Sequence, residues 1–399
     1  MRSRSPSLAV ALAAVAALAA SACGNSSSEP SGLVAVSRNL YLGGDIFSIV
    51  TAGDATEAAV AVDRVWKSVV ATNFPARAEL VADELLALRP DVVGLQEVSL
   101  WRTGDPIVCA PDGSGLAVVT APVASTVQYD YLATLLAALE ARGLSYAVAK
   151  VTSSIDAEFC SYDPTGATAP FDLRYTDRDV ILVRAGLATA NAAGGLYATQ
   201  VEFPIPGTPV VVPDPRAWNV VEVQKSGQWY RVFETHLEVQ EIATPAGIPS
   251  YLFQLAQAGE LVGLHVGPAQ AARPMPTVVV GDFNTQAEEP PGSALRTTFD
   301  FVTGAIPFPD MGIPQLAPLV GLVSPLHDAW STVNGPLPGL TWGFSADLAT
   351  GTPTQRIDFA FFLAATPLEM ATFGGFDRTP GTPPLHSSDH LGISLLVQP

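Results

Sequence analysis

The chain has 399 residues, of which 48% are hydrophobic, and its formal net charge at pH 7 is −18. A chain of this length can form one large α/β domain or two small ones, and no linker or internal repeat divides it. The negative charge argues against the broad cationic surface that most nucleic-acid-binding proteins use. The composition therefore disfavours a processive nuclease, although it does not exclude a nuclease with a local basic patch.

Residues 1–22 have the pattern of a signal peptide. Two arginines precede an apolar stretch at residues 8–20, which is too short to span a bilayer comfortably and is followed by small residues. Cys23 and the polar tether at 23–32 resemble a bacterial lipoprotein processing site, except that Ala20 stands where Leu is most often found. The alternative is ordinary signal-peptide cleavage near Cys23. Both interpretations predict an exported protein, and the first adds a lipid anchor at Cys23.

The two remaining cysteines, Cys109 and Cys160, lie in loop-like stretches on either side of a predicted strand at residues 146–151. In an oxidising compartment this predicts a single disulfide between them. The alternative is two unpaired, partly buried thiols.

The first predicted elements each lead to a polar residue. A strand at residues 34–36 leads to Asn39. Residues 75–89 have Pro in the first turn and apolar residues at helical spacing, which predicts a helix that ends before the next Pro. The apolar strand at 91–95 then ends in Gln-Glu, with the acid at Glu97.

The middle of the chain follows the same plan. Residues 180–183 are predicted to form a strand, and residues 218–223 and 229–233 flank a Lys-Ser-Gly-Gln turn and predict a hairpin. The second strand of the hairpin runs into His236. Residues 251–264 carry apolar side chains at a spacing consistent with a helix.

The most informative segment is residues 277–284, in which an aliphatic strand stops at Gly-Asp-Phe-Asn. A strand buried on both faces is a continuous aliphatic run, and Gly allows a close backbone approach where the strand ends. Side chains two residues apart on an extended segment point the same way, so Asp282 and Asn284 are expected to face one substrate. The alternative is a simple turn, because Gly, Asp and Asn are common turn residues.

The C-terminal region adds two more such strands. Asp358 lies within the predicted strand 356–361, and Asp389 and His390 directly precede the predicted strand 391–397. The repeated arrangement predicts a scaffold that brings these polar groups together.

These motifs resemble, in order, those of the endonuclease/exonuclease/phosphatase superfamily, which is DNase I-like. The five motifs are Leu-Gln-Glu ending at Glu97, Thr-His at His236, Gly-Asp-Phe-Asn around Asp282, Arg-Ile-Asp at Asp358 and Ser-Asp-His at His390. The resemblance covers roughly residues 33–399 and implies one α/β domain there. Its expected fold is a four-layered sandwich, in which two packed mixed β-sheets are flanked by helices.

A phosphodiester resists attack, so its hydrolysis needs a cation on the phosphate oxygens, an oriented water and stabilisation of the leaving oxygen. Glu97 is the best candidate for direct metal binding, and Asn39 resembles the family's Asn beside that metal. Asp389 is expected to be a further ligand of the metal or of a water. Oxygen ligands favour Mg²⁺, with Mn²⁺ or Ca²⁺ as alternatives, and the absence of a clustered His/Cys pattern disfavours zinc.

The resemblance also implies the catalytic roles. Asp282 is expected to act as base or to orient the attacking water, and Asn284 to position phosphate or water. His236 and His390 are expected to donate to the phosphate as imidazolium groups, with Asp358 as the partner of His390.

Several assignments stay open. Asp177 and Asp179 compete as the partner of His236, and Asp328 is expected to be structural in preference to catalytic. The family often has an acid or amide where this chain has Tyr41, so Tyr41 is expected to contact substrate and Asp45 is a candidate replacement for the missing acid. A site with one metal is the alternative. The remaining histidines are expected to be structural or exposed: His265, His327 and His386.

The sequence predicts an exported, Mg²⁺-dependent phosphoester hydrolase, and a phosphodiesterase is the preferred prediction. Its substrate is a phospholipid, a small phosphoester or a nucleic acid, and its partners are that substrate and, through Cys23, a membrane. The protein is expected to be a monomer. The alternatives are an extracellular nuclease of the same family and a non-catalytic binding lipoprotein on the same fold.

Overall fold

A computed structural model describes residues 30–107, 122–204, 211–244 and 247–399. Within these residues the β-strands, in chain order, are β1 Leu33–Asn39, β2 Val92–Gln96, β3 Leu100–Gly104, β4 Thr126–Asp130, β5 Tyr146–Ser161, β6 Phe171–Arg184, β7 Ala188–Leu196, β8 Val201–Pro204, β9 Val211–Asp214, β10 Ala217–Lys225, β11 Gln228–His236, β12 Thr277–Asp282, β13 His327–Asp328, β14 Trp342–Phe344, β15 Gly351–Gln355, β16 Asp358–Leu363, β17 Thr366–Phe373 and β18 Gly392–Gln398.

The α-helices of the same residues are α1 Phe47–Val50, α2 Ala55–Ala71, α3 Phe74–Leu88, α4 Tyr131–Ala141, α5 Ser250–Glu260, α6 Gly267–Ala272, α7 Thr297–Val302 and α8 Ala329–Asn334. A π-helical segment, Leu261–Val266, joins α5 to α6. Short 3₁₀ helices lie at Ala294–Arg296 and Pro314–Leu319. No helix of the described residues is long and apolar enough to cross a membrane.

Two large sheets dominate the fold. The first has the order β17-β18-β1-β2-β6-β3-β4 with β5 also paired to β6, and the second has the order β13-β16-β12-β11-β10-β7. Each sheet is mixed, because β1 runs parallel to β2 and β11 runs parallel to β12 while their other neighbours run antiparallel. The hairpins β8-β9 and β14-β15 stand apart from both sheets.

The three largest hydrophobic clusters of the described residues define four layers. One cluster packs helices α2, α3 and α4 on the first sheet, with Leu85 of α3 and Val93 of β2 among its residues. A second packs α5 and α7 on the second sheet. The third lies between the two sheets and includes Val92 and Val278. The predicted four-layered sandwich is confirmed, with helices outside two packed mixed sheets.

Strand β12 shows why its sequence is aliphatic throughout. Val278 and Val280 lie in the core between the sheets, whereas Val279 packs toward the outer helices. Because alternate side chains of a strand point to opposite faces, a strand buried on both faces needs apolar residues at every position. The predicted strand is therefore confirmed, and its polar residues are confined to its end.

Several predicted elements are confirmed with different limits. The helix predicted at 75–89 is α3, and the hairpin is β10-β11 with a two-residue turn whose residues, Ser226 and Gly227, both have positive φ. Such turns match the twist of the flanking strands. The helix predicted at 251–264 continues through the π-helical segment into α6.

Strands β5 and β6 are much longer than predicted and pair along most of their length. Cys160 therefore lies on β5, paired with Asp172, and not in a loop as expected. Cys160 is buried and disulfide-bonded. Cys109, its predicted partner, lies outside the described residues, as do Cys23 and the predicted signal peptide at 1–22. The pairing, the lipidation and the signal peptide stay predictions.

Candidate active site

The predicted polar residues meet at one end of the sandwich, and both sheets contribute. Asn39 ends β1 and Glu97 follows β2 in the first sheet, while His236 and Asp282 end β11 and β12 in the second. In the second sheet His236, Asp282 and Asp358 lie side by side on three adjacent strands. The site is therefore built where the ends of paired strands face each other across the core.

Asn39 connects the two sheets. Its side-chain amide Nδ2 donates to Glu97 Oε1 at 2.9 Å and to Asp282 Oδ2 at 3.1 Å. Its Oδ1 accepts the backbone N–H of Tyr41 at 2.8 Å, which fixes the orientation of the amide. Asn39 is fully buried, so one side chain sets the spacing between the carboxylates of the two sheets.

Glu97 is held in a strained backbone conformation, with φ at 54°, a region that non-glycine residues seldom adopt. Its Oε2 accepts the backbone N–H of Leu42 at 2.6 Å. Burial, followed by the negative charges of Asp389 and Asp177, raises the pKa of Glu97 to about 7. The metal-free site thus concentrates negative charge that a cation would neutralise.

Asp282 lies at the centre of the hydrogen-bond network. Its Oδ1 accepts the backbone N–H of Asn284 at 2.9 Å, and its Oδ2 lies 3.7 Å from His236 Nε2 and 3.8 Å from His390 Nε2. Burial, followed by the charge of Asp358, raises the pKa of Asp282 to about 7. A carboxylate with a pKa near neutrality is suited to accept a proton from water.

Asn284 does not continue the strand. Its φ of 53° is left-handed, and its Nδ2 donates to the carbonyl of Leu237 at 2.9 Å. The Gly-Asp-Phe-Asn segment is therefore both a strand end and a turn, which combines the two interpretations of its sequence. The side-chain oxygen of Asn284 is the part left for a substrate or water.

His390 and Asp358 form the shortest acid–imidazole pair of the site, with Nδ1 and Oδ2 2.9 Å apart. Burial alone would lower the pKa of His390, but Asp358 and Asp389 raise it to about 10. His390 is thus an imidazolium at neutral pH, and its Nε2–H points toward Asp282 and Asp389, each 3.8 Å away. The predicted partnership of Asp358 and His390 is present.

His236 differs from the expectation of a second imidazolium. Burial, followed by the positive charges of Arg216 and His390, holds the pKa of His236 well below its usual value. Arg216 Nη1 lies 3.2 Å from Nε2 of His236. Because Arg can only donate, Nε2 accepts and the proton of the neutral ring is on Nδ1. In this arrangement His236 cannot donate to a phosphate from Nε2, and the cation beside it is Arg216.

Asp177 and Asp179, the two candidate partners of His236, both lie on β6, and their distances from His236 decide between them. Asp179 Oδ1 is 3.9 Å from His236 Nδ1, which makes Asp179 the nearer carboxylate, while Asp177 Oδ2 accepts the hydroxyl of Ser154. Ligand atoms of Asp177, Asp179 and His236 lie within 4.8 Å of one another. The proton on Nδ1 removes His236 from that set as a metal ligand.

The residues present fit a hard divalent cation. Glu97 and Asp389 are each partly exposed, and Asp389 is close enough to raise the pKa of Glu97. Trp342 Nε1 donates to Asp389 Oδ2 at 3.3 Å and orients it. The carboxylate oxygens of Glu97 and Asp389 are hard donors of the type that Mg²⁺ prefers. Asn39, expected beside the metal, turns its amide N–H toward Glu97 and so orients that carboxylate. A second group, Asp282, Asp358 and His390, also has ligand atoms within 4.8 Å, but His390 is protonated.

Tyr41 is placed differently from the expectation that it contacts substrate. It is buried, its hydroxyl donates to the carbonyl of Ala346 at 2.8 Å, and its ring packs with Leu348 and Leu385. Its φ of 58° carries the chain from Asn39 into the following loop. Asp45, the candidate replacement for the missing acid, is exposed just before α1. Its carboxylate accepts no hydrogen bond from the residues that the structure describes.

The remaining candidates are structural. Asp328 caps α8 by accepting the N–H groups of Trp330 and Ser331, and it pairs with Arg356 at 2.9 Å. His265 stacks on Trp218 and His386 on Phe344, and His327 is exposed.

Arg216 is the main site residue that sequence reasoning missed. It is buried and pairs with Glu238 at 3.0 Å and Asp214 at 3.4 Å, beside His236. Glu238, two residues after His236, was the available signal, because a buried acid so close to the site requires a cation.

The sequence matches the model of the Endonuclease/Exonuclease/phosphatase family over residues 70–390. The chain belongs to this family. Its members hydrolyse phosphoester bonds, so the protein is a phosphoester hydrolase, and the acidic groups of its site could hold the metal on which the family depends. No curated protein sequence matches the chain at a significant level.

Solved structures of similar fold cover nearly the whole chain at low identity. The mannosyl-6-phosphatase of Bacteroides thetaiotaomicron is 14% identical with a TM-score of 0.50, and the match covers 92% of this chain and 99% of that one. A family member from Leptotrichia buccalis is 12% identical, with a TM-score of 0.48 and coverages of 92% and 99%. One from Beutenbergia cavernae is 19% identical, with a TM-score of 0.47 and coverages of 92% and 71%.

Proposed function

We propose that this protein is a Mg²⁺-dependent phosphodiesterase. The observation that supports the proposal is the single network through Asn39, which joins a candidate metal ligand, Glu97, to a candidate base, Asp282, at 2.9 and 3.1 Å. A divalent cation held by Glu97 and Asp389, with Asn39 orienting Glu97, would supply charge neutralisation on the phosphate oxygens.

Side chains of the protein are proposed to act as the base and as the donor to the phosphate. Asp282, with a pKa of about 7, orients a water and takes its proton. His390 is the donor to a phosphate oxygen, because Asp358 keeps it protonated. Arg216, beside the neutral His236, is a further buried guanidinium near Asp282, and its Nη2 is paired with Glu238 and Asp214.

The substrate class follows from charge. A net charge of −18 repels a long polyanion such as DNA, whereas a zwitterionic or small phosphodiester pays little of this penalty. We therefore place a small or lipid phosphodiester ahead of nucleic acid. We favour an enzyme over the non-catalytic alternative because none of the principal candidate residues is missing: Asn39, Glu97, Asp282, Asp358 and His390.

The test is hydrolysis of a panel by the purified protein, with Mg²⁺ or with EDTA. The panel contains bis-p-nitrophenyl phosphate, plasmid DNA, sphingomyelin and inositol phosphates. The variant Asp282→Asn should lose metal-dependent turnover of the preferred substrate, and Glu369→Gln, which changes an exposed acid on β17, should keep it. Turnover that survives EDTA or Asp282→Asn would contradict the proposal.

We also propose that the protein is exported as a monomer and carries a lipid on Cys23. The supporting pattern is the signal-like segment at 1–22 followed by Cys23. Intact mass measurement of protein from its native cells tests this: cleavage before Cys23 with an added diacylglyceryl group is expected. Retention of residues 1–22 would refute export, and cleavage without added mass would leave export and refute the anchor. Sedimentation of the purified protein tests the monomer.

A further inference from the structure

A chain of hydrogen-bonded side chains crosses the space between the two sheets next to the candidate active site. Gln96 Nε2 and Asn219 Nδ2 donate to the two carboxylate oxygens of Glu234, each at 2.8 Å. At one end the hydroxyl of Ser37 donates to Gln96 Oε1 at 3.1 Å. At the other end the hydroxyl of Thr152 donates to Asn219 Oδ1 at 2.6 Å. These five side chains form a spacer network that joins β1, β2 and β5 of the first sheet to β10 and β11 of the second.

The spacer network lies next to site residues on both sheets. On the second sheet, Glu234 precedes His236 by two residues on β11, so both side chains point into the layer between the sheets. On the first sheet, Gln96 is the last residue of β2, and Glu97 follows it directly. The hydrogen bond between Gln96 and Glu234 therefore sets the distance between the sheets at the point where Glu97 and His236 are attached.

The three central side chains of the network have a partner for every polar atom. Gln96, Asn219 and Glu234 are fully buried. Each amide donates to the carboxylate and accepts from a hydroxyl. Because a buried polar group without a partner is costly, such a network favours one arrangement of the strands over others. Cohesion of the sheets does not require it, since valines such as Val92 and Val232 pack the same layer.

Two glycines leave room for the network. A Cβ on Gly94 of β2 would lie 2.7 Å from Cγ of Glu234. Gly194 of β7 is paired with Asn219, and its Cβ would lie 2.4 Å from Oδ1 of that residue and 2.8 Å from Oγ1 of Thr152. Neither glycine has a positive φ, so the space that the network occupies, and not backbone freedom, accounts for the missing side chains.

We propose that Glu234 is a positioning residue, which fixes the spacing of the two sheets at the active site by accepting the amides of Gln96 and Asn219. The candidate metal ligand Glu97 and its neighbour across the site, His236, are thereby held at a set distance from each other. Glu234 acts by hydrogen bonding and not by charge, because both of its carboxylate oxygens are used as acceptors. The proposal rests on the proposed function for the reaction at that site.

Two substitutions at Glu234 separate hydrogen bonding from charge. In Glu234→Gln one amide of the network can turn over, because the hydroxyl at its far end accepts as well as donates. Every hydrogen bond is then kept while the charge is lost. Glu234→Met has a similar length but no acceptor, so the N–H groups of Gln96 and Asn219 lose their partner.

The measurement is kcat, KM and the pH profile of the full-length protein with Mg²⁺, on the panel substrate that it hydrolyses. Glu234→Met should lower kcat by a factor of about 10 to 100 and change KM less than about twofold, because a small misplacement affects the transition state more than binding. Glu234→Gln should keep all three, since its charge is not among the main causes of the pKa values of Asp282 and His390. An equal loss in both variants, or an unchanged kcat in Glu234→Met, would overturn the proposal.

A second pair of variants tests the network from outside it, and it decides the question if a melting curve shows Glu234→Met to be unfolded at the assay temperature. Gly194→Ala pushes Asn219 away from Thr152 and should lower kcat about tenfold. Gly195→Ala, at the next residue of β7, is the matched control, because its Cβ would come no closer than 3.7 Å to Trp218, and it should keep kcat. Equal kcat values in the two alanine variants would overturn the proposal.

A failure of the proposed function would be distinguishable. If the unmodified protein hydrolyses no member of the panel, crystal structures of the unmodified protein and of the two Glu234 variants test the spacing alone. The Cα atoms of Glu97 and His236 should shift relative to each other by about 1 Å in Glu234→Met and stay in place in Glu234→Gln. A separation that is the same in all three proteins would overturn the role of Glu234.

Discussion

Replacing Gly281 with Ala should separate the two strands that hold His236 and Asp282. A Cβ at position 281 would lie 2.0 Å from the carbonyl oxygen of Thr235, its neighbour on β11, and 2.9 Å from that residue's carbonyl carbon. These are backbone atoms of a paired strand and cannot rotate away. The strands must therefore move apart by about 1 Å or more to restore an ordinary contact.

The cost can be estimated from this displacement. Overpacking contributes about 1 to 3 kcal/mol, and weakened ladder hydrogen bonds about 1 kcal/mol each, so the free energy of unfolding should fall by about 3 kcal/mol. For a domain of this size the melting temperature should fall by about 4 °C. Because Asp282 is the next residue, a shift of about 1 Å should also lower kcat about 100-fold.

The assay combines a circular dichroism melt with nitrophenol release from bis-p-nitrophenyl phosphate. Gly195→Ala is the matched control: it lies on β7 in the same sheet, and its new Cβ would meet only Trp218, at 3.7 Å. It should keep full activity and an unchanged or slightly higher melting temperature. If Gly281→Ala behaves like Gly195→Ala, the close approach of β11 and β12 does not hold the site.

Three further predictions concern the titrating groups. Asp358→Asn should lower the pKa of His390, so the basic limb of the kcat/KM profile should move to lower pH and kcat should fall about 100-fold. A pH series measures both, and an unmoved limb would show that Asp358 does not keep His390 protonated. Glu97→Gln should weaken Mg²⁺ binding at least tenfold by calorimetry, and unchanged affinity would exclude Glu97 as a ligand. The pKa values of Glu97 and Asp282 are raised in the folded protein, so both groups hold their protons more tightly there than in the unfolded chain. Their contribution to the stability of the metal-free protein is therefore complete below about pH 4 and is lost as pH rises through about 7. Mg²⁺ replaces those protons, so its increase of the melting temperature should be larger at pH 8 than at pH 5, and an increase that is equal at both would contradict this linkage.

The sequence predicts most of the site because strand ends have local signatures. The aliphatic run before Asp282 and the helix before Glu97 are set by short-range patterns of burial, and the order of the motifs indicates that the ends meet. The acid–imidazole pair of Asp358 and His390 follows from the same resemblance.

The parts that were missed depend on distant contacts. Arg216 follows Pro213 and Pro215 in a segment with no periodic pattern, and only the fold brings it to His236. The low pKa of His236 follows first from burial and then from the charges of Arg216 and His390, which no local sequence feature indicates. Tyr41 is similar, since its hydroxyl partner, Ala346, lies 305 residues away. The full lengths of β5 and β6 were hidden by register shifts, which interrupt the alternation that marks a strand.

The pairing of β1 with β18 has a consequence for how activity is acquired. Arg38 donates to the carbonyl of His390 across 352 residues, and the hydroxyl of Ser388 donates to the carbonyl of Asn39. Residues 38–39 and residues 388–390 therefore depend on each other, and a chain that lacks Asp389 and His390 has the other site residues without a complete centre. A protein truncated before Ser388 is expected to be inactive, although Asn39, Glu97 and Asp282 are still present.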